Sequence, residues 1–324
     1  MKPCLDRAFM KKRVISGLVY VVVLLAFYLL KVMVPYGDII FDVLIYGFAL
    51  VGTLEMIRAM QDNLARTEKA IVFVFAIICV PACAIGEYCF GYGVHFTAIC
   101  FFALVISLLS LLVFKHEEST LENIGASLVC AVYPALLICL LVLANHFGDT
   151  PLWGDKFISS SEDLQQMQFN SNLAIMFIFT ISPVSDMVAF FFGMGLKKKF
   201  PKKLAPTISP NKTVIGFIGG LVGGAIGAVL IYFVYHAIFV NNAIFGNFVH
   251  MYIWLPIYIV IGVLASLATA FGDLVESAIK RHRGLKDMGD IMPGHGGILD
   301  RIDGTLFATV IVYAAFALVQ MVAI

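Results

Sequence analysis

The chain has 324 residues, of which 61% are hydrophobic and 13% are charged. Soluble globular proteins contain roughly 45–50% hydrophobic and about 25% charged residues, so this chain has too few polar residues for a fully hydrated surface. The composition therefore excludes a soluble enzyme, a disordered chain and a nucleic-acid-binding module. The formal net charge of +1 comes from 22 basic and 21 acidic residues and indicates no general affinity for polyanions.

Apolar segments recur along nearly the whole chain. A transmembrane helix needs about 20 predominantly apolar residues. We therefore predict an all-α polytopic membrane protein with about nine transmembrane helices. The first apolar segment is too long for a signal peptide and lacks a small-residue cleavage site, so we expect it to be retained. The predicted spans are 14–34, 39–57, 70–90, 94–114, 124–147, 173–193, 213–240, 251–271 and 304–324.

The distribution of Lys and Arg predicts the orientation of these helices. If the N-terminus is cytoplasmic, 20 of the 22 basic residues fall in cytoplasmic segments, and only Lys31 and Lys156 lie elsewhere. Cytoplasmic loops of membrane proteins carry such an excess of basic residues. We therefore predict a cytoplasmic N-terminus, a C-terminus on the outer side, and an outer loop over 148–172.

Polar residues are concentrated in the second half of the chain. Residues 1–170 are predicted to form membrane helices without a recognisable motif. Residues 171–324 contain two polar cytoplasmic loops, 194–212 and 272–303, and we expect this part of one integrated membrane domain to carry the chemistry. The seven cysteines lie mostly in apolar segments and are interpreted as small buried residues.

The 272–303 loop holds 11 of the 43 charged residues. If its start continues the preceding helix, Asp273, Glu276 and Lys280 share one face. The Pro-Gly-His-Gly-Gly segment at 293–297 cannot form a regular helix, and its glycines permit close approach of the backbone to a ligand. Asp300 and Asp303 follow with helical spacing. Carboxylates, basic residues and exposed amides suit a site that binds Mg²⁺ together with phosphate groups.

Two further polar features lie upstream of this loop. Ser209-Pro-Asn-Lys212-Thr213 precedes a predicted helix, so Lys212 and Thr213 could either cap that helix or bind phosphate at its N-terminus. Asp186 lies inside a predicted span, and an acid in the membrane is costly unless it serves a function. The glycines of 216–227 form two small-residue rows typical of close helix packing, within the chain or across a dimer.

The sequence of the polar loops resembles the signature of phosphatidate cytidylyltransferases, also called CDP-diacylglycerol synthases. Residues 277–289 read S-x-I-K-R-x4-K-D-x-G, and residues 293–303 read P-G-H-G-G-I-x-D-R-I-D. The segment 209–213 is similar to the family's S-P-K-K-T, with Asn211 in place of a lysine, and Asp186 begins a D-x-x-A-[YF]-x-x-G segment. Val214-Ile215-Gly216 replaces the family's usual W-E-G.

This resemblance implies that CTP and phosphatidic acid react to CDP-diacylglycerol and pyrophosphate with Mg²⁺ as cofactor; a second, monovalent cation is left open. It implies that Asp273 and Asp300 hold the metal, with Asp303 as a candidate for a third ligand. Catalytic roles are expected for Asp273, Asp300, Lys280 and Arg301. Substrate-binding roles are expected for Asp186, Ser209, Lys212, Thr213, Arg281, Lys286, Asp287, Gly294, His295, Gly296 and Gly297.

Two other functions stay open at this point. A CTP-dependent polyprenol or dolichol kinase would share the end of the glycine-rich motif, and a secondary transporter would suit an intramembrane acid beside a helix-breaking proline. The expected location is a bacterial inner membrane, as a multi-pass protein whose active site faces the cytoplasm. Expected partners are the two substrates, the lipid bilayer and a second copy of the chain through helix 213–240, but no nucleic acid.

Overall fold

The computed structural model describes residues 7–149, 152, 169–239, 248–294 and 296–322, with side chains from residue 15 onward except at 248–250 and 322. The chain forms two compact units. The first unit comprises residues 1–157 and 282–302, and the second comprises residues 158–281 and 303–324. His295 and most of the predicted outer loop 148–172 lie outside the described residues.

The first unit is a helical bundle in which α2 packs on α3 and α6, and α3 packs on α4 and α5. Its core consists of apolar side chains such as Phe41, Met56, Leu108 and Ile138, which are almost fully buried. Two π-helical turns interrupt the regular helices, at Gly86–Phe90 and Val132–Leu136. The helices are α1 Arg7–Met33, α2 Gly37–Ala59, α3 Arg66–Ile85, α4 Gly93–Phe114, α5 Leu121–Ala131 and α6 Leu137–Asn145, with a 3₁₀ turn at Gln61–Asn63.

The second unit contains long helices and a small hairpin. Phe177, Tyr258 and Phe316 pack edge to face at its core, with ring centroids 5.1 and 6.0 Å from Phe177. The elements are α7 Ser171–Leu196, β1 Lys203–Ala205, β2 Ser209–Thr213, α8 Val214–Phe239, α9 Phe248–His282 and α10 Leu299–Val322. The last residue of α9 (His282) and the first four residues of α10 (299–302) belong to the first unit.

The prediction of an all-α membrane protein is confirmed. The described residues contain nine helical spans long and apolar enough to cross a membrane, and their ends lie close to the predicted ones. The exception is α9, whose span runs from Met251 to His282 because its amphipathic end stays helical beyond the apolar segment. The antiparallel β1–β2 hairpin inside the predicted loop 194–212 was not expected. The orientation stays a prediction.

The two glycine rows of α8 pack within the chain. A Cβ atom on Gly223 would come within 2.9 Å of Val188, and a Cβ on Gly220 within 3.2 Å of the Ser185 hydroxyl, both on α7. The Ser185 hydroxyl also donates a hydrogen bond to the carbonyl of Gly220 at 3.1 Å. On another side, a Cβ at Gly224 would overlap the carbonyl of Gly262 on α9. The small residues therefore let three helices approach closely.

A buried histidine joins α2 to the end of α6 in the first unit. His146 Nε2 lies 2.7 Å from a carboxylate oxygen of Asp42, and Nδ1 lies 3.4 Å from Asp149. Asn145 donates a hydrogen bond to the other Asp42 oxygen at 2.9 Å. Burial alone would lower the pKa of His146, but the nearby carboxylates of Asp149 and Asp42 outweigh this effect and raise the pKa to about 10. His146 is therefore charged at neutral pH.

Candidate functional site

The second unit brings two of the predicted metal-binding aspartates together. Helices α9 and α10 approach closely where each has a glycine, because a Cβ on Gly272 would lie 2.7 Å from the carbonyl of Asp303 and one on Gly304 would lie 2.7 Å from Thr269. Asp273 directly follows Gly272, and Asp303 directly precedes Gly304. The glycine contacts therefore place both carboxylates at the junction of the two helices, and they interact electrostatically.

Three carboxylates and two lysines form a compact group here, called the α9–α10 cluster. Its members are Asp273, Glu276 and Lys280 on α9, Asp303 on α10 and Lys212 on β2. Lys280 forms an ion pair with Glu276 at 2.6 Å, and Lys212 forms one with Asp273. Glu276 and Lys280 also interact with Asp303. The predicted common face of Asp273, Glu276 and Lys280 is confirmed, and the cluster has one more acid than base.

The β1–β2 hairpin carries Lys212 to this cluster. Strand β2 ends at Thr213, and α8 begins at the next residue. The Thr213 hydroxyl accepts a hydrogen bond from the amide of Gly216 at 3.1 Å, which is the geometry of a helix N-cap. The capping interpretation of Thr213 is thus confirmed, while a phosphate contact by Thr213 or by the half-buried Ser209 stays a prediction.

In the first unit, the loop 283–298 folds around the carboxylate of Asp300. One oxygen of Asp300 accepts hydrogen bonds from the amides of Met288 and Gly297, both at 2.8 Å. Gly294 and Gly296 have φ angles of 77° and 86°, which residues other than glycine rarely adopt. The predicted irregular turn is thus confirmed for its described residues. Asp300 links this turn to Met288, because the same oxygen binds the amides of Met288 and Gly297.

A carboxylate that the sequence analysis did not consider lies beneath the same loop. Glu55 of α2 is 1% exposed, and its two oxygens accept hydrogen bonds from the amides of Ile298 at 3.0 Å and Leu299 at 2.9 Å. The sequence could have indicated Glu55, because Glu55 is an acid inside an apolar span, and Asp186 was selected for the same reason.

The loop also lines a cavity of about 360 Å³. Arg58, one turn after Glu55 on α2, forms part of its wall and is exposed. Arg283 anchors the start of the loop, because its guanidinium donates to the carbonyl of Ala59 at 3.1 Å and pairs with Asp62 at 3.2 Å. The remaining lining residues are Ala59, Leu285, Asp287, Met288, Gly289, Asp290 and Ile291.

The other predicted site residues are exposed or lie outside the description. Asp186 is exposed on α7, next to the buried Ser185. His295 lies outside the described residues. Asp300 belongs to the first unit, and Asp273 and Asp303 to the second, so their joint binding of a metal stays a prediction. The other charged residues that were predicted to act in the site are also exposed, and they are Arg281, Lys286, Asp287 and Arg301.

One further observation concerns metal binding. Among the residues that the structure describes, no three acidic, histidine or cysteine side chains are grouped so that they could hold a metal ion. In the α9–α10 cluster, lysines are paired with two of the three carboxylates. A cation bound by Asp273 or Glu276 would therefore compete with the lysine that is paired with that carboxylate.

Comparison with known proteins agrees with the signature in these loops. The sequence model described as "Cytidylyltransferase family" matches residues 11–319 of the chain. The chain belongs to the cytidylyltransferase family. The match covers the polar loops and also the helices of residues 1–170, which carry no motif recognisable by eye.

Individual relatives of this family cover the chain to different extents. The chain is 30% identical to a phosphatidate cytidylyltransferase of Bacillus subtilis over 312 residues, which is 95% of this chain and 98% of the relative. A phosphatidate cytidylyltransferase of Staphylococcus epidermidis is 44% identical over 133 residues, 41% of this chain and 45% of the relative. One of Thermotoga maritima is 36% identical over 143 residues, 44% and 48% of the two chains.

Proposed function

We propose that this multi-pass membrane protein transfers the cytidylyl group of CTP to phosphatidic acid and releases pyrophosphate. The observation that carries the proposal is the full-length similarity to a phosphatidate cytidylyltransferase, together with the carboxylates and lysines clustered at α9, α10 and β2. Neither the kinase nor the transporter alternative is favoured by the family match.

The reaction needs charge neutralisation and alignment more than covalent help from the protein. A phosphate oxygen of phosphatidate attacks the α-phosphorus of CTP, a new P–O bond forms, and the bond to the bridging oxygen breaks with departure of pyrophosphate. Lysine ammonium groups offset negative charge on both phosphates, and fixed backbone amides hold their oxygens. No serine or cysteine nucleophile is required, because the lipid phosphate is itself the nucleophile.

Lys212, Lys280 and Arg281 are proposed to bind the triphosphate, with Lys286 and Arg301 as further phosphate ligands. Gly296 and Gly297 are proposed to line the substrate site. The amide of Gly297 already donates a hydrogen bond to Asp300, so its proposed role includes holding that carboxylate in place. Asp287 lines the cavity beside the loop and is proposed to contact the nucleotide. Asp186, Ser209 and Thr213 keep supporting roles in substrate binding.

Mg²⁺ is proposed as the cofactor, held by Asp273 and Asp300, with Asp303 as a third candidate ligand. The donors fit this metal, because Mg²⁺ prefers carboxylate oxygens and the α9–α10 cluster has an excess of acid. Bound there, Mg²⁺ would neutralise phosphate charge and polarise the α-phosphate. Lys212 would leave Asp273 for a phosphate oxygen when the metal binds.

The bacterial relatives support a location in the inner membrane. An active site that faces the cytoplasm, where CTP is available, is proposed from the distribution of basic residues along the sequence. A homodimer through helix 213–240 stays a prediction. Because the glycines of α8 already contact α7 and α9, a second copy would have to use the opposite, exposed face of α8. That face carries Ile218, Val222, Ile226 and Leu230.

The deciding experiment follows labelled CTP with purified protein in detergent, phosphatidic acid and Mg²⁺. Transfer of an α-phosphate label to the lipid, with release of pyrophosphate and loss of both on chelation by EDTA, is the expected result. Transfer of a γ-phosphate label to a polyprenol would establish the kinase instead. If neither label reaches a lipid, nucleotidyl transfer is ruled out.

A further inference from the structure

Glu55 is a buried acid whose two oxygens both accept hydrogen bonds from the backbone of a distant segment. It lies near the C-terminal end of α2, and its two oxygens accept the amides of Ile298 and Leu299. Leu299 is the first residue of α10, so the carboxylate stands at the N-terminus of that helix. A negative charge is favourable there, because the first amides of a helix have no intrahelical partner.

The loop 283–298 is shaped to fit this carboxylate. A Cβ atom at either Gly289 or Gly297 would overlap the Glu55 side chain. Two glycines of the loop, eight residues apart, thus pack directly against the Glu55 side chain. A side chain at either position would push the Glu55 carboxylate away from its present place beside the two amides.

The same few residues of backbone also determine where Asp300 points. The amide of Gly297 donates to Asp300, and the next two amides along the chain donate to Glu55. Three consecutive amides are therefore divided between two carboxylates. If Glu55 releases its two amides, the turn that holds Asp300 loses its fixed end.

We infer that Glu55 is a positioning residue of this enzyme, which acts through the backbone of 297–299 to orient Asp300. The inference rests on the proposed function, in which Asp300 is a metal ligand. An acid buried in a membrane span is costly to keep. A contribution to packing alone would not explain a charged group here, whereas the fixation of two amides does.

The substitution Glu55→Gln tests this inference with almost no change in volume. Glutamine keeps one acceptor oxygen but turns an NH₂ group toward the second amide, so one charge-assisted hydrogen bond is replaced by two facing donors. The loss of one such bond corresponds to roughly a 10- to 100-fold change in an equilibrium. Glu55→Asp is the second variant, since it keeps the charge but is too short to reach both amides.

Glu87→Gln is the matched control. Glu87 also accepts a backbone amide, from Gly93 at 2.9 Å, and also lies against that glycine. It stands in the π-helical turn that follows α3, whereas Glu55 lies near the connection that precedes α3. The two ends of that helix are about 30 Å apart at 1.5 Å per residue.

Two measurements are made on the full-length protein in detergent. Hydrogen exchange, read by mass spectrometry of a peptide covering 289–302, reports the protection of the amides. The Mg²⁺ concentration for half-maximal turnover reports the geometry of Asp300. In the Glu55 variants we expect exchange to be about 10- to 100-fold faster and the Mg²⁺ requirement to rise by a similar factor. The Glu87 variant should change neither.

Wild-type exchange in the 289–302 peptide of both Glu55 variants would overturn the inference. So would faster exchange with an unchanged Mg²⁺ requirement, because Glu55 would then stabilise the turn without orienting Asp300. Lack of turnover by the wild type would instead overturn the proposed function, and the exchange comparison alone would then decide whether Glu55 fixes the turn.

Discussion

The substitution Asp300→Asn separates the structural role of Asp300 from its proposed role as a metal ligand. In the structure, one Asp300 oxygen accepts amide hydrogen bonds from Met288 and Gly297, each at 2.8 Å. The carbonyl oxygen of asparagine can take the place of that oxygen and accept the same two amides. What asparagine cannot supply is the negative charge.

The expected loss of stability is modest. A hydrogen bond to a charged group contributes about 1.5–3 kcal/mol and a neutral one about 0.5–1.5 kcal/mol. Two such bonds that become neutral therefore cost about 2–3 kcal/mol. A protein with a typical stability of about 5–15 kcal/mol remains folded after this loss. Removal of a metal ligand should by contrast lower turnover by more than about 10³-fold, or about 4 kcal/mol of transition-state stabilisation.

The assay compares turnover with CTP and phosphatidic acid, and Tm in detergent, for wild type, Asp300→Asn and a control. Asp62→Asn is the control, because Asp62 is an exposed acid of the same unit whose ion pair with Arg283 is worth little. We expect Asp62→Asn to keep turnover within about twofold of wild type. Near-normal turnover of Asp300→Asn would refute the metal assignment, and a loss of turnover that only follows a loss of folded protein would do the same.

Three further predictions concern substrate binding, packing and pH. Lys212→Met should raise the KM for CTP by about tenfold or more with little change in Tm, whereas Lys280→Met should lower Tm as well. In thermal unfolding, Gly224→Ala should destabilise by about 1–3 kcal/mol, since its Cβ would overlap the backbone of α9. Gly47→Ala, at an open helical position, should stabilise by up to about 1 kcal/mol. The raised pKa of His146 stabilises the fold fully below its ordinary value near pH 6.5. This contribution should disappear as the pH rises through about 10, so the Tm difference between wild type and His146→Gln should shrink over that range.

Much of the fold could be predicted because the membrane imposes a simple length rule. Helices such as α2 and α4 begin and end within a few residues of the predicted spans. The helical continuation of α9 through Lys280 was also readable, from the spacing of Asp273 and Glu276. The β1–β2 hairpin was not, because 203–213 has no alternation of apolar and polar residues that would indicate strands.

The candidate site could likewise be predicted only in part. The sequence contains the acids, bases and glycines of 272–303 in one segment, and their chemical types are enough to indicate a metal–phosphate site. Glu55 could not be connected to that segment, because its amide partners lie 243 and 244 residues away and belong to the backbone. Backbone donors carry no residue-specific signal, so only the folded chain shows which carboxylate they bind.

The two lysines of the α9–α10 cluster differ in a way that follows from their exposure. The side chains of Lys212 and Asp273 are 28% and 31% exposed, so their ion pair contributes only about 0–1 kcal/mol and is easily exchanged for a phosphate. Lys280 and Glu276 are 12% and 1% exposed. Breaking a buried pair costs about 3–5 kcal/mol because a charge is left without compensation. Lys212 is therefore suited to move between the cluster and a substrate, and Lys280 to contact the triphosphate without leaving Glu276. Because of this difference, the two methionine substitutions should have unlike effects on Tm even though both remove one positive charge from the same cluster.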